Sequence, residues 1–98
     1  MNRTLKSGFP HALRTLRRAR GLSQEEFDVV SSRTYVSALE RGVKEPTLSK
    51  VEQLANVMRV HPLTLLCVAC AGTAAADLDG LLAQVRSEAL GSMCEKDL

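Results

Sequence analysis

Aromatic residues are scarce in this 98-residue chain, which has two phenylalanines (Phe9, Phe27) and one tyrosine (Tyr35). A core built around large rings is therefore excluded, and Leu, Val, Ala and Met have to supply it. Alternating runs of β-branched residues are also few, which argues against sheets and for an all-α fold. No run of about 18 apolar residues occurs, so no membrane span is expected. Arg3 and Lys6 stand near the start without an apolar stretch behind them, so no signal peptide is expected. Paired carboxylates, a Ser-His-Asp set, a phosphate-binding glycine loop and a zinc-protease motif are all missing. His11 and His61 are isolated. Nothing here supports an enzyme, and no cofactor is expected.

Charge is present but unevenly placed. Residues 1–50 hold ten Lys/Arg against five Asp/Glu (+5), and residues 51–98 hold three against six (−3). A basic first half and an acidic second half suggest that only the first faces an anionic partner. The length suits one compact domain with an appended element. Three divisions follow: a basic flexible arm over residues 1–8, a helical domain over 9–71, and a C-terminal helix with a frayed tail over 72–98.

Local signals mark the helices. The first runs from about Pro10 to Gly21, with Phe9, Leu13 and Leu16 on its apolar side and Arg14, Arg17, Arg18 and Arg20 opposite, either solvated or touching phosphate. Ser23 and Glu26 have the spacing of a capping box for a second helix over about 24–30 that buries Phe27 and Val30. Ser32 can cap a third helix over 33–41, and Gly42 can supply its left-handed stop. Val36 and Leu39 form its buried face, which leaves Arg33, Thr34, Tyr35, Ser37 and Ala38 on the surface. Pro46 and Thr47 precede a fourth helix whose Leu48, Val51, Leu54, Ala55 and Met58 recur at steps of three and four. It ends near Arg59 without a glycine. His61-Pro62 opens a fifth helix that buries Leu63, Leu65, Leu66 and Val68. Ala71-Gly72-Thr73 breaks it, and a sixth helix follows from about Ala74 to Leu90.

Two short helices joined by a tight turn form the core of a helix-turn-helix DNA reader. The blocks Leu22-Ser23-Gln24-Glu25-Glu26, Arg33-Thr34-Tyr35-Val36-Ser37, Leu39-Glu40-Arg41-Gly42 and Pro46-Thr47-Leu48 resemble the lambda-repressor/Cro-type (XRE-like) helix-turn-helix family over residues 9–68. The resemblance implies a five-helix lambda-repressor-like domain, here with an additional C-terminal helix. It implies a cytoplasmic transcriptional regulator, at the nucleoid when bound, acting as a homodimeric repressor on a palindromic operator. An antitoxin that binds a toxin and autoregulates its operon is the alternative.

Carried over by position, the resemblance places Gln24, Ser32, Arg33, Thr34, Tyr35, Ser37, Arg41 and Lys44 at double-stranded DNA, with the third helix in the major groove. Gln24 would offer a backbone N–H to a phosphate, and Arg41 and Lys44 would touch the flanking phosphates. Arg33 could read a guanine or hold phosphate, and the Tyr35 ring could pack on the turn instead. Glu25 suits a helix N-terminus. Arg17 and Glu40 match positions that form a structural salt bridge. One departure from the pattern stands out: Asp28-Val29-Val30-Ser31-Ser32 is about two residues shorter than the usual connection and has no glycine. A second helix that ends early is one way to fit it.

Cys67-Val68-Ala69-Cys70 has three readings: buried packing, a redox-responsive thiol pair, or metal. A structural zinc site needs four well-spaced ligands, and only Cys94 and the two histidines remain, so no metal is assigned. In the last helix Leu78, Leu81, Leu82 and Val85 share one stripe, which either folds back on the domain or faces a twin subunit. Gly80 within it costs roughly 1 kcal/mol relative to Ala, so this helix needs a partner surface.

Overall fold

The computed structural model describes residues 4–72 and 74–96, which form five α-helices, one short 3-10 helix and no strand. The first helix, α1 (Leu5–Ala19), begins five residues before Pro10. Its opening is fixed by a capping box: Ser7 N donates to Thr4 Oγ1 at 3.0 Å, and Thr4 N donates to Ser7 Oγ at 3.1 Å. Both orphan donors are thus satisfied upstream of Pro10, which sits inside the helix and forgoes one N–H bond. The expected flexible arm over 1–8 is corrected accordingly: residues 5–8 are helical, with Gly8 buried, and residues 1–3 lie outside the described residues. Phe9, Ala12 and Leu13 form the buried face of α1, which packs chiefly against α4 (Pro62–Ala71).

The α1 helix stops in a Schellman motif. Gly21 takes φ 71°, Leu22 N donates to Arg17 O, and Gly21 N donates to Arg18 O, each at 3.0 Å. Next comes the segment expected to be the second α-helix. It is a single 3-10 helix, Gln24–Phe27, with Phe27 completely buried. The Ser23–Glu26 capping box does not form; Ser23 makes no side-chain cap bond, and its carbonyl instead accepts from Glu26 N at 3.3 Å. Residues 28–30 continue as turns, Val29 is 83% exposed, and Val30 is only half-buried.

The third predicted helix is α2 (Arg33–Glu40), capped by Ser32, whose Oγ accepts from Tyr35 N at 3.1 Å. Val36 and Leu39 are buried as their spacing requires, but so is Ala38, which the pattern put on the surface. Its exit is a second Schellman motif, with Val43 N donating to Ala38 O and Gly42 at φ 75°.

Thr47 caps α3 (Leu48–Met58), accepting from Lys50 N at 3.1 Å. Val51, Leu54, Ala55 and Met58 enter the core, whereas Leu48, at the first helical position, is 79% exposed. The missing glycine at the end of α3 is replaced by Arg59 itself in the left-handed region (φ 59°), with Val60 N donating to Ala55 O at 3.0 Å. Arg20 reaches this end from α1's terminus, donating through Nε to Met58 O (2.9 Å) and through Nη2 to Arg59 O (3.2 Å). The chain bends by 102° into α4, where His61 Nδ1 accepts from Leu63 N at 3.0 Å as the cap. Leu65 and Ala69 are buried, Leu66 and Val68 are half-buried, and Leu63, expected inside, is 59% exposed.

The last helix, α5 (Ala75–Lys96), packs on α4 and continues through residues 91–96, where a frayed tail was expected; residues 97 and 98 lie outside the described residues. No single helix among the described residues is long and apolar enough to cross a membrane.

Candidate nucleic-acid interface

The site is built on one buried carboxylate. Glu40, the last residue of α2, is 3% exposed and is the buried charged side chain of the described core. Arg17 of α1 grips it with both prongs: Nε donates to Oε2 at 2.6 Å and Nη2 to Oε1 at 2.9 Å. The third arginine nitrogen, Nη1, donates to Leu22 O at 2.9 Å, which ties the chain just before the 3-10 helix to the same knot. Gln24 Nε2 also donates to Glu40 Oε1 at 3.1 Å, and Arg14 Nη2 donates to the Glu40 carbonyl at 2.9 Å.

Burial alone would push the Glu40 carboxyl up. The hydrogen bonds from Arg17 and Gln24, with the charges of Arg17 and Arg14, outweigh it and hold the group below its ordinary value. For Arg17 the bond to Glu40 prevails over burial, so its pKa is raised. A buried charge with bidentate geometry fixes orientation more than it adds stability. Here it fixes α2 relative to α1 and the 3-10 helix. The basic face of α1 is thus largely architectural: Arg14, Arg17 and Arg20 are all engaged with backbone or Glu40, and Arg18 is exposed.

Arg33, Thr34, Ser37 and Arg41 of α2 and its exit line a shallow polar hollow together with Gln24. Arg33, Thr34 and Arg41 are exposed and Ser37 is half-buried, with Arg41 Nε donating to Ser37 Oγ at 3.4 Å. Lys44 is exposed in the following loop. Of the other residues assigned to DNA by position, Ser32 has its Oγ taken up as the α2 cap, and Tyr35 is half-buried against the core. Gln24 is drawn partly inward by Glu40.

Two further participants were not assigned to the site by sequence, and the first carries no recognisable signal. Lys50 of α3 sends Nζ across to the Val30 carbonyl (2.6 Å) and sits 5.7 Å from the centroid of the Tyr35 ring. Glu25, read from sequence as a complement to a helix N-terminus, accepts from Arg33 Nη1 at 3.1 Å.

The thiols lie elsewhere. Cys67 and Cys70 are free and half-buried on α4, and burial together with the neighbouring Cys70 pushes the Cys67 thiol up. Cys94 falls outside the described side chains, and no group of three metal-ligating side chains occurs among the described residues. On α5, Leu78 and Leu81 are half-buried, while Leu82 and Val85 are 45% and 48% exposed. Leu78 and Leu82 face an apolar groove against Leu63, Cys67 and Val68 of α4.

A helix-turn-helix family model matches residues 13–65, which takes in the Arg17–Glu40 pair, the 3-10 helix and α2. An uncharacterized HTH-type transcriptional regulator of Sinorhizobium fredii, y4dJ, is 42% identical over 53 residues, covering 52% of this chain and 69% of the relative. No solved structure matches the chain significantly. The chain belongs to the helix-turn-helix family of the lambda-repressor/Cro (XRE-like) type, a DNA-binding and non-enzymatic family.

Proposed function

We propose that this protein is a sequence-specific, double-stranded-DNA-binding transcriptional regulator, acting as a homodimeric repressor on a palindromic operator. The observation that carries the reading is the presentation of α2. Its buried end is locked by Arg17 and Glu40, while its first turn exposes Arg33 and Thr34, which line a hollow with half-buried Ser37 of the next turn. In this reading α2 enters the major groove, and Arg41 and Lys44 hold phosphates on either side. Ser32 and Tyr35 stand at the edge of the contact, and the Gln24 backbone meets a phosphate. The protein works in the cytoplasm, at the nucleoid when DNA-bound.

The homodimer forms through Leu78, Leu81, Leu82 and Val85 of α5, which are left half-covered or exposed within one chain. A two-fold pair of α2 helices then sets the half-site spacing.

Band-shift titration on duplex fragments upstream of its own gene, over a range of salt, tests the reading. Binding should weaken steeply with salt, because each phosphate neutralised by Lys or Arg releases counterions. Absence of salt-dependent binding to any duplex overturns it. An antitoxin would show the same binding and co-purify with a second protein in equal amounts.

A further inference from the structure

We infer that Glu25 is a positioning residue for base recognition: by holding one edge of the Arg33 guanidinium, it directs the opposite edge to a guanine and away from phosphate. This inference rests on the DNA reading proposed above and adds a specificity determinant to it.

The geometry begins with the shortened turn. Because the second element is a single 3-10 helix, residues 28–32 return the chain quickly and bring the first residue of α2 beside Glu25. Arg33 Nη1 donates to Glu25 Oε1 at 3.1 Å, with side chains 65% and 64% exposed. An exposed pair of this kind contributes little to stability. Its consequence is conformational: a long side chain with many rotamers is held in one orientation before DNA arrives.

The contact uses Nη1 only. Nη2 and Nε remain, and that edge has the two parallel N–H donors needed for the O6 and N7 of guanine. The carboxylate has a second effect. It places a negative charge beside the guanidinium, where an approaching phosphate would be repelled, so the competing backbone contact becomes less favourable. Arg33 also lines the polar hollow with Gln24, Thr34, Ser37 and Arg41, so the free edge belongs to the face offered to DNA. Lys44 and Arg41 have no such acidic partner within salt-bridge distance among the described residues, which suits phosphate contacts that carry no sequence information.

The test uses the full chain and a duplex selected from a randomised library. The position read by Arg33 is identified as the one whose preference falls most, with some preference remaining, in Arg33→Ala. Affinities are then measured for the guanine duplex and its substituted counterpart with wild type, Glu25→Gln, Arg33→Ala and the double variant. Glu25→Gln should reduce the preference for guanine by about 2–4-fold, within what an exposed pair can supply and a fraction of a full bidentate contact. Its affinity for unrelated duplex should be equal or higher, and its thermal midpoint unchanged. In the Arg33→Ala background the same change should have no effect on base preference.

Unaltered preference in Glu25→Gln overturns the inference, and so does an equal loss with and without Arg33, which would make Glu25 a direct base reader. Both outcomes leave the DNA-binding reading intact. Failure of the wild type to enrich any sequence removes that reading, and this inference with it.

Discussion

Lys50 closes the turn in front of α2: its ammonium donates to the Val30 carbonyl at 2.6 Å while lying 5.7 Å from the centroid of the Tyr35 ring. The turn is short and has no glycine, so a side chain from α3 supplies the donor that Val30 needs. Lys50→Met keeps the aliphatic stem and removes both donor and charge. Urea denaturation should show a loss of about 1.5–2 kcal/mol, the lower part of the range for hydrogen bonds to charged groups because Lys50 is only half-buried. Amide exchange over residues 28–32 should quicken. Unchanged stability and exchange would mean that the turn holds itself.

The Arg17–Glu40 pair makes a larger prediction. Glu40→Gln preserves shape but leaves the Arg17 guanidinium, 11% exposed, without its carboxylate. Breaking a buried pair costs about 3–5 kcal/mol, and the residual exposure of Arg17 points to the lower end. Measured by urea denaturation, Arg17→Lys in the wild-type background should lose less than Glu40→Gln, since an ammonium keeps the charge but cannot reproduce the two-pronged contact.

Acid sensitivity follows from the same carboxylate. Its folded pKa is depressed below the unfolded value of about 4.3. The unfolded state therefore binds more protons in that interval, and stability rises with pH. The contribution is complete above the unfolded pKa and is lost as pH falls through the folded one. Comparing wild type with Glu40→Gln by denaturation across acid pH should show this component in the wild type alone. Parallel curves would contradict the assignment.

Arg59 holds a left-handed conformation that favours glycine, with φ 59°. An L-residue there is strained by roughly 1 kcal/mol, and the Arg20 bonds involve only backbone carbonyls at this end. Arg59→Gly should raise stability by up to about 0.6 kcal/mol once the greater freedom of the unfolded glycine is deducted. The converse change, Gly42→Ala, should destabilise: φ is 75°, and the new Cβ would lie 3.4 Å from Pro10 Cγ. Thermal midpoints that move in the same direction for both would refute the argument.

The proposed dimer can be tested on α5. Replacing Leu82 and Val85 with Glu puts charge on side chains already 45% and 48% exposed in one chain, so the monomer should keep its fold. Sedimentation should then find a monomer where the wild type is a dimer, and operator affinity should fall at least tenfold as the second half-site contact is lost. Equal masses for variant and wild type would exclude this stripe as the interface.

Much of this molecule is legible one residue at a time. Ser32, Thr47 and His61 cap the helices that follow them, Gly21 and Gly42 stop the helices before them, and Val51, Leu54, Ala55 and Met58 turn to the core. Each of these depends on partners within one or two helical turns, and local chemistry is strong enough to settle them. Even the start of α1 was local, in Thr4 and Ser7, but Pro10 was the more conspicuous signal and drew the boundary inward.

Tertiary structure decided the rest. Whether the second segment became an α-helix or a 3-10 turn depended on burying Phe27 while Lys50, twenty positions away from Val30, satisfied the turn. Ala38 is inside and Leu48 and Leu63 are outside because a helix face is buried only where another helix meets it. Arg14 and Arg20 became structural because their acceptors lie 26 and 38 residues away. The sequence by itself determined the caps at Ser32, Thr47 and His61, the stops at Gly21 and Gly42, and which family the chain resembles. Only the tertiary structure decided which arginines are held inside and which stand free for a partner, because a long cation is satisfied by whichever acceptor the packing brings within reach.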